Sequence, residues 1–391
     1  MKWLPALLGS ASLFLLPTLA SGLLRGNVTT SLGSDPTGGA RLHLLLLVEH
    51  GLSFAPFWGA FVQGADPAKW AAYAHCSDGH SCNIDPARAE LPGLQLVDTV
   101  PSQYCKDVVS PMVQLLKTAV ANSASRGDKF AFISDGELPL KPFDDIHREL
   151  VGREGSDFCI GPQRFWSKLP SVSTQGGGNP MLVVKHTQWV VLSREHADLL
   201  VQRWPTLQSH LWASVPIYGE SQKGTDAVDF MFGRVKLCLD EWAPFAAIYG
   251  ALPGGSRKEL PGLSTGSVDL SDTADSLLGQ GRCPTLVAWA EDDAVGQHPV
   301  MEHVWPFLDC YPRCSTSHPA SFTTITDMGL AWLRDSPFLF ARKFLPDAVS
   351  LEQFQRVVLS PGGAKASLRN IFEEPGPLEP NFHWFAPRRG R

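Results

Sequence analysis

Apolar positions fall into short runs divided by polar, turn-rich stretches. Leu42 to Val48 is a continuous apolar run, the pattern of a buried strand. Phe54 to Gln63 predicts a short helix. Trp70 to His75 and Gln95 to Val100 predict short strands. In Val108 to Val120, Val109, Met112, Val113, Leu116 and Val120 recur at helical spacing. Lys129 to Ile133 predicts a strand that ends in the polar turn Ser134-Asp135-Gly136-Glu137, with a helix over Asp144 to Val151 and a strand over Asp157 to Ile160.

Residues 163–181 are dense in Gly, Ser and Pro and predict a loop. Thr187 to Leu192 predicts a strand, and Ser193 is a suitable N-cap for the helix after it, with Ala197, Leu200, Val201 and Trp204 on one face. Further helices are expected over 225–234, from Asp240 (Trp242, Phe245, Ala246 and Tyr249 on one face), over Thr323 to Leu333 and over Leu351 to Leu359. Residues 256–280 predict a long polar loop. Pro284 to Ala290 and Phe338 to Phe344 predict the last strands. The alternation of strands and helices predicts an α/β domain.

The N-terminus changes the picture first. Trp3 to Ala20 is almost wholly apolar, and Thr18-Leu19-Ala20 offers small residues at plausible cleavage positions. Two readings fit: a cleaved signal peptide, or a short signal anchor with a lumenal body. Residues 21–40 read as a stem or linker, 41–360 as one domain and 361–391 as a loosely ordered tail. Asn27-Val28-Thr29 is a glycosylation sequon. All eight cysteines lie beyond the leader, and an even number in an oxidising compartment predicts disulfides of unreadable connectivity. Cys310 and Cys314 have a zinc-like spacing but lack a second ligand pair.

Composition excludes some functions. Charged residues make up 18% of the 391, below the roughly 25% of an average domain. The net charge of −6 speaks against nucleic-acid binding, and 35 Gly with 31 Pro speak against a coiled coil.

The sequence has no P-loop, no Gly-x-Ser-x-Gly elbow, no His-Glu-x-x-His and no Gly-x-Gly-x-x-Gly behind a strand. Four longer patterns remain: Phe130-Ala-Phe-Ile-Ser-Asp-Gly-Glu-Leu-Pro-Leu-Lys-Pro-Phe143; Lys185-His-Thr-Gln-Trp-Val-Val-Leu-Ser-Arg-Glu-His-Ala197; Cys238-Leu-Asp-Glu-Trp-Ala-Pro-Phe245; and Ser317-His-Pro-Ala-Ser-Phe322 followed by Phe338-Leu-Phe-Ala-Arg-Lys-Phe344. The first delivers acidic residues to the C-terminal end of a strand, where ligands bind in α/β sheets.

In this order the four patterns resemble the core-2/I-branching β-1,6-N-acetylglucosaminyltransferase-like family, in its plant-type branch, over roughly residues 42–358. The resemblance implies a single glycosyltransferase A-type domain, a mixed sheet flanked by helices, in a Golgi type II membrane protein. It also implies inverting transfer from a UDP-sugar to a glycan hydroxyl, with no catalytic metal and no cofactor. Glu241 matches the family's base and Lys343 its pyrophosphate-binding lysine, with Arg342 adjacent. The second basic position has no clear match; Arg313 and Arg334 are nearest.

Each assignment has a plainer reading beside it. Asp240 and Glu241 also suit an ordinary helix start, and Arg342-Lys343 a solvated basic pair. Asp135 and Glu137 are expected to bind the donor, or to hold a divalent metal as an Asp-x-Asp motif would. Lys185, His186 and Trp189 are candidates for the acceptor groove, although strand alternation equally predicts a buried Trp189. The competing functions are a non-catalytic carbohydrate-binding relative and, more distantly, a two-carboxylate hydrolase.

Overall fold

A computed structural model describes residues 39–360, except 80–81, 104, 106, 162–166, 170–180, 214–237, 250–282, 289–298 and 312–318. The leader, most of the stem, the C-terminal tail, the helix expected over 225–234 and the loop over 256–280 lie outside the described residues.

The central sheet has five strands: β1 (Leu42–Val48), β2 (Trp70–Cys76), β3 (Gln95–Leu96), β4 (Lys129–Ser134) and β8 (Val191–Ser193). Their order is β3-β2-β1-β4-β8. The first four are mutually parallel, and β8 runs antiparallel to β4. A second sheet has the order β5-β10-β9, from β5 (Glu137–Pro139), β10 (Phe340–Arg342) and β9 (Thr285–Val287). A hairpin pairs β6 (Ser167–Leu169) with β7 (Met181–Val183), inside the stretch expected to be loop.

Strand alternation divides the core into two layers. Leu42, Leu44 and Leu46 of β1, with Ala131 and Ile133 of β4, join one cluster with α1 (Ala55–Val62) and α4 (Phe143–Val151). Leu45, Phe130 and Phe132 join the other with α3 (Val109–Ala121), α5 (Arg194–Ala213) and α6 (Ala243–Tyr249). The result is a mixed α/β domain with helices on both faces of the sheet.

The expected strand over Gln95 to Val100 shrinks to two residues, and that over Asp157 to Ile160 to isolated bridges with Val191 and His186. Helix α2 (Asp85–Glu90) and helix α7 (Pro299–Val304) were not legible, being only six residues each. The helix expected over Thr323 to Leu333 is α8 (Asp327–Asp335), starting where the Thr326 hydroxyl accepts the Gly329 N–H. Leu351 to Leu359 forms α9 (Leu351–Phe354) and a wider terminal turn. Ser193 caps α5 as expected, its hydroxyl accepting the His196 N–H at 3.3 Å.

Disulfides join Cys76 to Cys82, Cys105 to Cys238 and Cys159 to Cys283. Cys310 is also disulfide-bonded, which removes its thiolate from the zinc reading. These bonds fit a secretory-pathway protein. Among the described residues, no helix is long and apolar enough to cross a membrane.

Candidate active site

Strands β2 and β3 lie on one side of β1, and β4 on the other. The order therefore reverses between β1 and β4, and the crevice outside their C-terminal ends is where an open α/β sheet binds ligands. The Asp135–Gly136 turn sits there, directly after β4. Asp135 Oδ1 accepts the Ser53 N–H at 2.8 Å, tying this turn to the segment after β1. Burial raises the Asp135 pKa; the Ser53 N–H and the Lys343 ammonium oppose the rise, and Glu49 adds to it.

Lys343 reaches this turn from the second sheet. Phe344 N–H donates to the Gly136 carbonyl at 2.8 Å, and Phe322 N–H donates to that of Lys343 at 2.7 Å. A Cβ on Gly136 would lie 2.9 Å from Lys343 Cγ, so only glycine lets the lysine stem pass so close. The Lys343 side chain is exposed.

Arg342 and Lys343 diverge. Arg342 turns inward: its guanidinium carbon lies 4.3 Å from the centre of the Trp189 ring, and its Nε donates to Ser134 Oγ at 3.1 Å. The same hydroxyl donates to Glu137 Oε2 at 3.3 Å. Glu137 is fully buried. Its Oε2 also accepts the Ser134 N–H at 3.0 Å, and its Oε1 the Thr285 hydroxyl at 3.0 Å. Burial pushes the Glu137 pKa up to about 7 against the pull of Arg342 and these donors. The two carboxylates of the Asp-Gly-Glu turn thus serve different partners: Asp135 joins strand ends at the crevice, and Glu137 braces Arg342 and β9 from beneath.

The second acidic pair arrives on a 3-10 turn, Leu239–Glu241, that leads into α6. Glu241 Oε2 accepts the N–H of Cys238 at 3.1 Å, a reciprocal cap of its own turn. Its Oε1 lies 4.0 Å from Lys185 Nζ. The Cys105–Cys238 disulfide anchors this turn, and the Leu239 N–H donates to Cys105 O at 3.1 Å. Cys105 has φ 63, the left-handed region that a non-glycine residue seldom occupies. The plain helix-start reading of Asp240-Glu241 therefore holds for backbone geometry, although the turn is 3-10 and the α-helix begins only at Ala243.

Asp240 is 6% exposed. Burial and then the Glu241 charge push its pKa up to about 7, with Arg342 opposing and Asp107 adding to the rise. Arg342 thus influences two buried carboxyls, Glu137 and Asp240, while its neighbour Lys343 influences Asp135. The Arg342–Lys343 dipeptide is the element common to all three.

The acceptor candidates divide. Lys185 is partly exposed beside Glu241. The His186 N–H donates to Glu241 O at 2.8 Å, but its ring is fully buried against Phe158 and Phe245. Burial lowers the His186 pKa to about 4, so the ring is neutral. Trp189 is buried beneath Arg342 rather than open to a sugar. Arg334 is buried too, and its Nη1 donates to Val357 O at 2.8 Å, so it is committed to the fold; Arg313 lies outside the described residues. Sequence reasoning missed Ser134 and Thr285 as supports of Glu137. Ser134 stands inside a quoted motif, whereas nothing local marks Thr285.

Comparison with protein-family models and with curated proteins finds no match for this chain.

Proposed function

We propose that the chain is an inverting glycosyltransferase of the glycosyltransferase A type. It moves a sugar such as N-acetylglucosamine from a UDP-sugar to a glycan hydroxyl, without a metal, in the Golgi lumen. The apolar leader serves as its membrane anchor if it stays uncleaved. One observation carries the reading: a lysine from a second sheet lies over the Asp135–Gly136 turn at the strand-order reversal, one residue from an arginine tied to the carboxyls behind it. A cation at that crevice suits a nucleoside diphosphate.

In this reading Glu241 takes the proton of the acceptor hydroxyl. The hydroxyl oxygen attacks the anomeric carbon from the face opposite the diphosphate. The bond from that carbon to the phosphate oxygen breaks, and UDP leaves with the electron pair. Lys343 stabilises the charge that develops on the diphosphate. Asp135 orders the turn beneath it, Glu137 and Arg342 brace the site from below, and Lys185 borders the acceptor side.

A second reading, a non-catalytic carbohydrate-binding relative, is favoured by the engagement of Glu241: Oε2 takes a backbone N–H, and Oε1 faces Lys185. Calorimetry with UDP and a turnover assay with a UDP-sugar panel separate the two. We expect UDP binding by the full chain, and at least ~100-fold slower transfer in Glu241→Gln with UDP affinity unchanged. Absence of UDP affinity overturns the transferase reading. Normal turnover in Glu241→Gln overturns the base assignment.

A further inference from the structure

Two buried polar side-chain atoms near Glu241 have no hydrogen-bond partner. Asp240 is 6% exposed, and its Oδ1 has none. His186 is fully buried, and its Nε2 has none. Both belong to one local assembly, because the His186 N–H donates to the carbonyl of Glu241, the residue after Asp240. Lys185 and Glu241, the residues adjoining them in sequence, are 19% and 13% exposed and lie side by side. The orphaned atoms themselves are closed off from solvent, so a ligand reaches them only when the side chains over them move.

The chemistry of the pair specifies its partner. His186 Nδ1 lies 2.7 Å from the Thr187 carbonyl, which can only accept, so Nδ1 carries the ring proton. Nε2 is then a lone-pair acceptor. Asp240 Oδ1 belongs to the residue before Glu241, whose carbonyl takes the His186 N–H. Buried polar atoms are normally satisfied, and an exception calls for a missing partner. A hydroxyl both donates and accepts, so it serves Nε2 and either protonation state of Asp240 Oδ1, and a sugar carries several on one ring. The rest of the site has no such gap to fill at Glu137, whose two oxygens already take three donors.

We infer that Asp240, with His186, binds hydroxyl groups of the acceptor sugar and sets which sugar is accepted. The inference rests on the proposed transferase reading for the word acceptor, but the sugar contact stands or falls separately. Asp240 would contact the ligand rather than carry out proton transfer, which stays with Glu241. A buried water offers the same O–H chemistry, so the test must distinguish the two sources.

The test uses saturation-transfer NMR on the full chain with methyl β-galactoside, methyl α-mannoside and methyl β-N-acetylglucosaminide. We expect transfer to the ring protons of at least one glycoside by the wild type. Asp240→Asn should weaken that affinity at least tenfold, with UDP affinity unchanged. His186→Gln provides an independent arm if Asp240→Asn fails to fold. Unaltered glycoside affinity in a folded variant, or no glycoside bound by the wild type, overturns the inference and leaves water as the partner. Glycoside binding without UDP affinity would overturn the transferase and keep this sugar contact.

Discussion

The central sheet carries a buried carboxyl system at each end, and the two differ in kind. At the N-terminal end, Asp128 precedes β4 and both its oxygens are engaged. Oδ1 accepts the Arg41 N–H at 2.7 Å, and Oδ2 meets the Ser123 hydroxyl, the His43 ring at 3.4 Å and the Ser125 N–H at 3.4 Å. Burial raises the Asp128 pKa, but His43, Ser123 and Arg41 outweigh it and leave the carboxyl below its ordinary value. At the C-terminal side, Asp240 is also buried but has an oxygen with no donor and is pushed up to about 7. The two carboxyls thus shift in opposite directions: His43, Ser123 and Arg41 lower Asp128, whereas deeper burial and the Glu241 charge raise Asp240. The orphaned oxygen, rather than the direction of the shift, is what sets Asp240 apart from Glu137 and Asp128.

The largest consequence concerns stability. Asp128→Ala strips the acceptor from buried donors and should cost about 3–5 kcal/mol, read from denaturant midpoints at pH 6. Asp240→Asn at the same pH should change stability by less than ~1 kcal/mol, because it replaces a largely protonated carboxyl by a neutral amide of the same shape. Equal losses would erase the distinction between the two ends.

Next in size is a pH dependence of opposite sign. Asp240 and Glu137 have folded values near 7, above those of ordinary carboxyls, so the folded chain binds protons more tightly than the unfolded one. Stability from these two groups is therefore present at low pH and lost as pH rises from about 4 to 7. Each tenfold difference in proton affinity is worth about 1.4 kcal/mol. Glu241 and Asp107 strengthen the effect at Asp240, and Arg342 weakens it at both groups. Asp128 behaves in reverse: its contribution is present above the ordinary carboxyl range and is lost as pH falls through its lower folded value. Buried neutral His186, with His75 and His196, acts the other way and adds stability as pH rises. The test is therefore a difference: between pH 5 and 8 an Asp240→Asn, Glu137→Gln double variant should lose less stability, or gain more, than the wild type. A profile that keeps its slope would mean that neither carboxyl carries the effect.

The base of the sheet was far more legible than the site. Leu42–Val48 and Val109–Ala121 follow directly from run length and spacing, because backbone regularity and burial act on the same residues. The turn Ser134 to Glu137 was legible as polar, but not the fact that Glu137 begins β5 and is fully buried. Its partner Thr285 lies 148 residues away, a pairing no local pattern encodes. That Arg342 stacks on Trp189 while Lys343 stays exposed depends on two segments meeting in space. Asp240 resembled any helix-start acid, since a missing hydrogen bond leaves no mark in sequence.

The smallest effect tests whether Arg342 is anchored or available. Its charge alone does not decide this, because a lysine would also supply a cation to Glu137 and Asp240. What lysine lacks is the planar head that stacks on Trp189 while Nε donates to Ser134. Arg342→Lys should therefore cost about 1–2 kcal/mol. A double-mutant cycle with Trp189→Leu should give a coupling of about 0.5–1 kcal/mol. Coupling of that size makes Arg342 a fixed part of the floor, comparable with Arg194, which is pinned to Ser123 and Asp198 at the other end. Zero coupling would mean that the guanidinium gives up nothing by leaving the ring. Arg342 could then swing out beside Lys343, and the donor diphosphate of the proposed reaction would meet two cations instead of one.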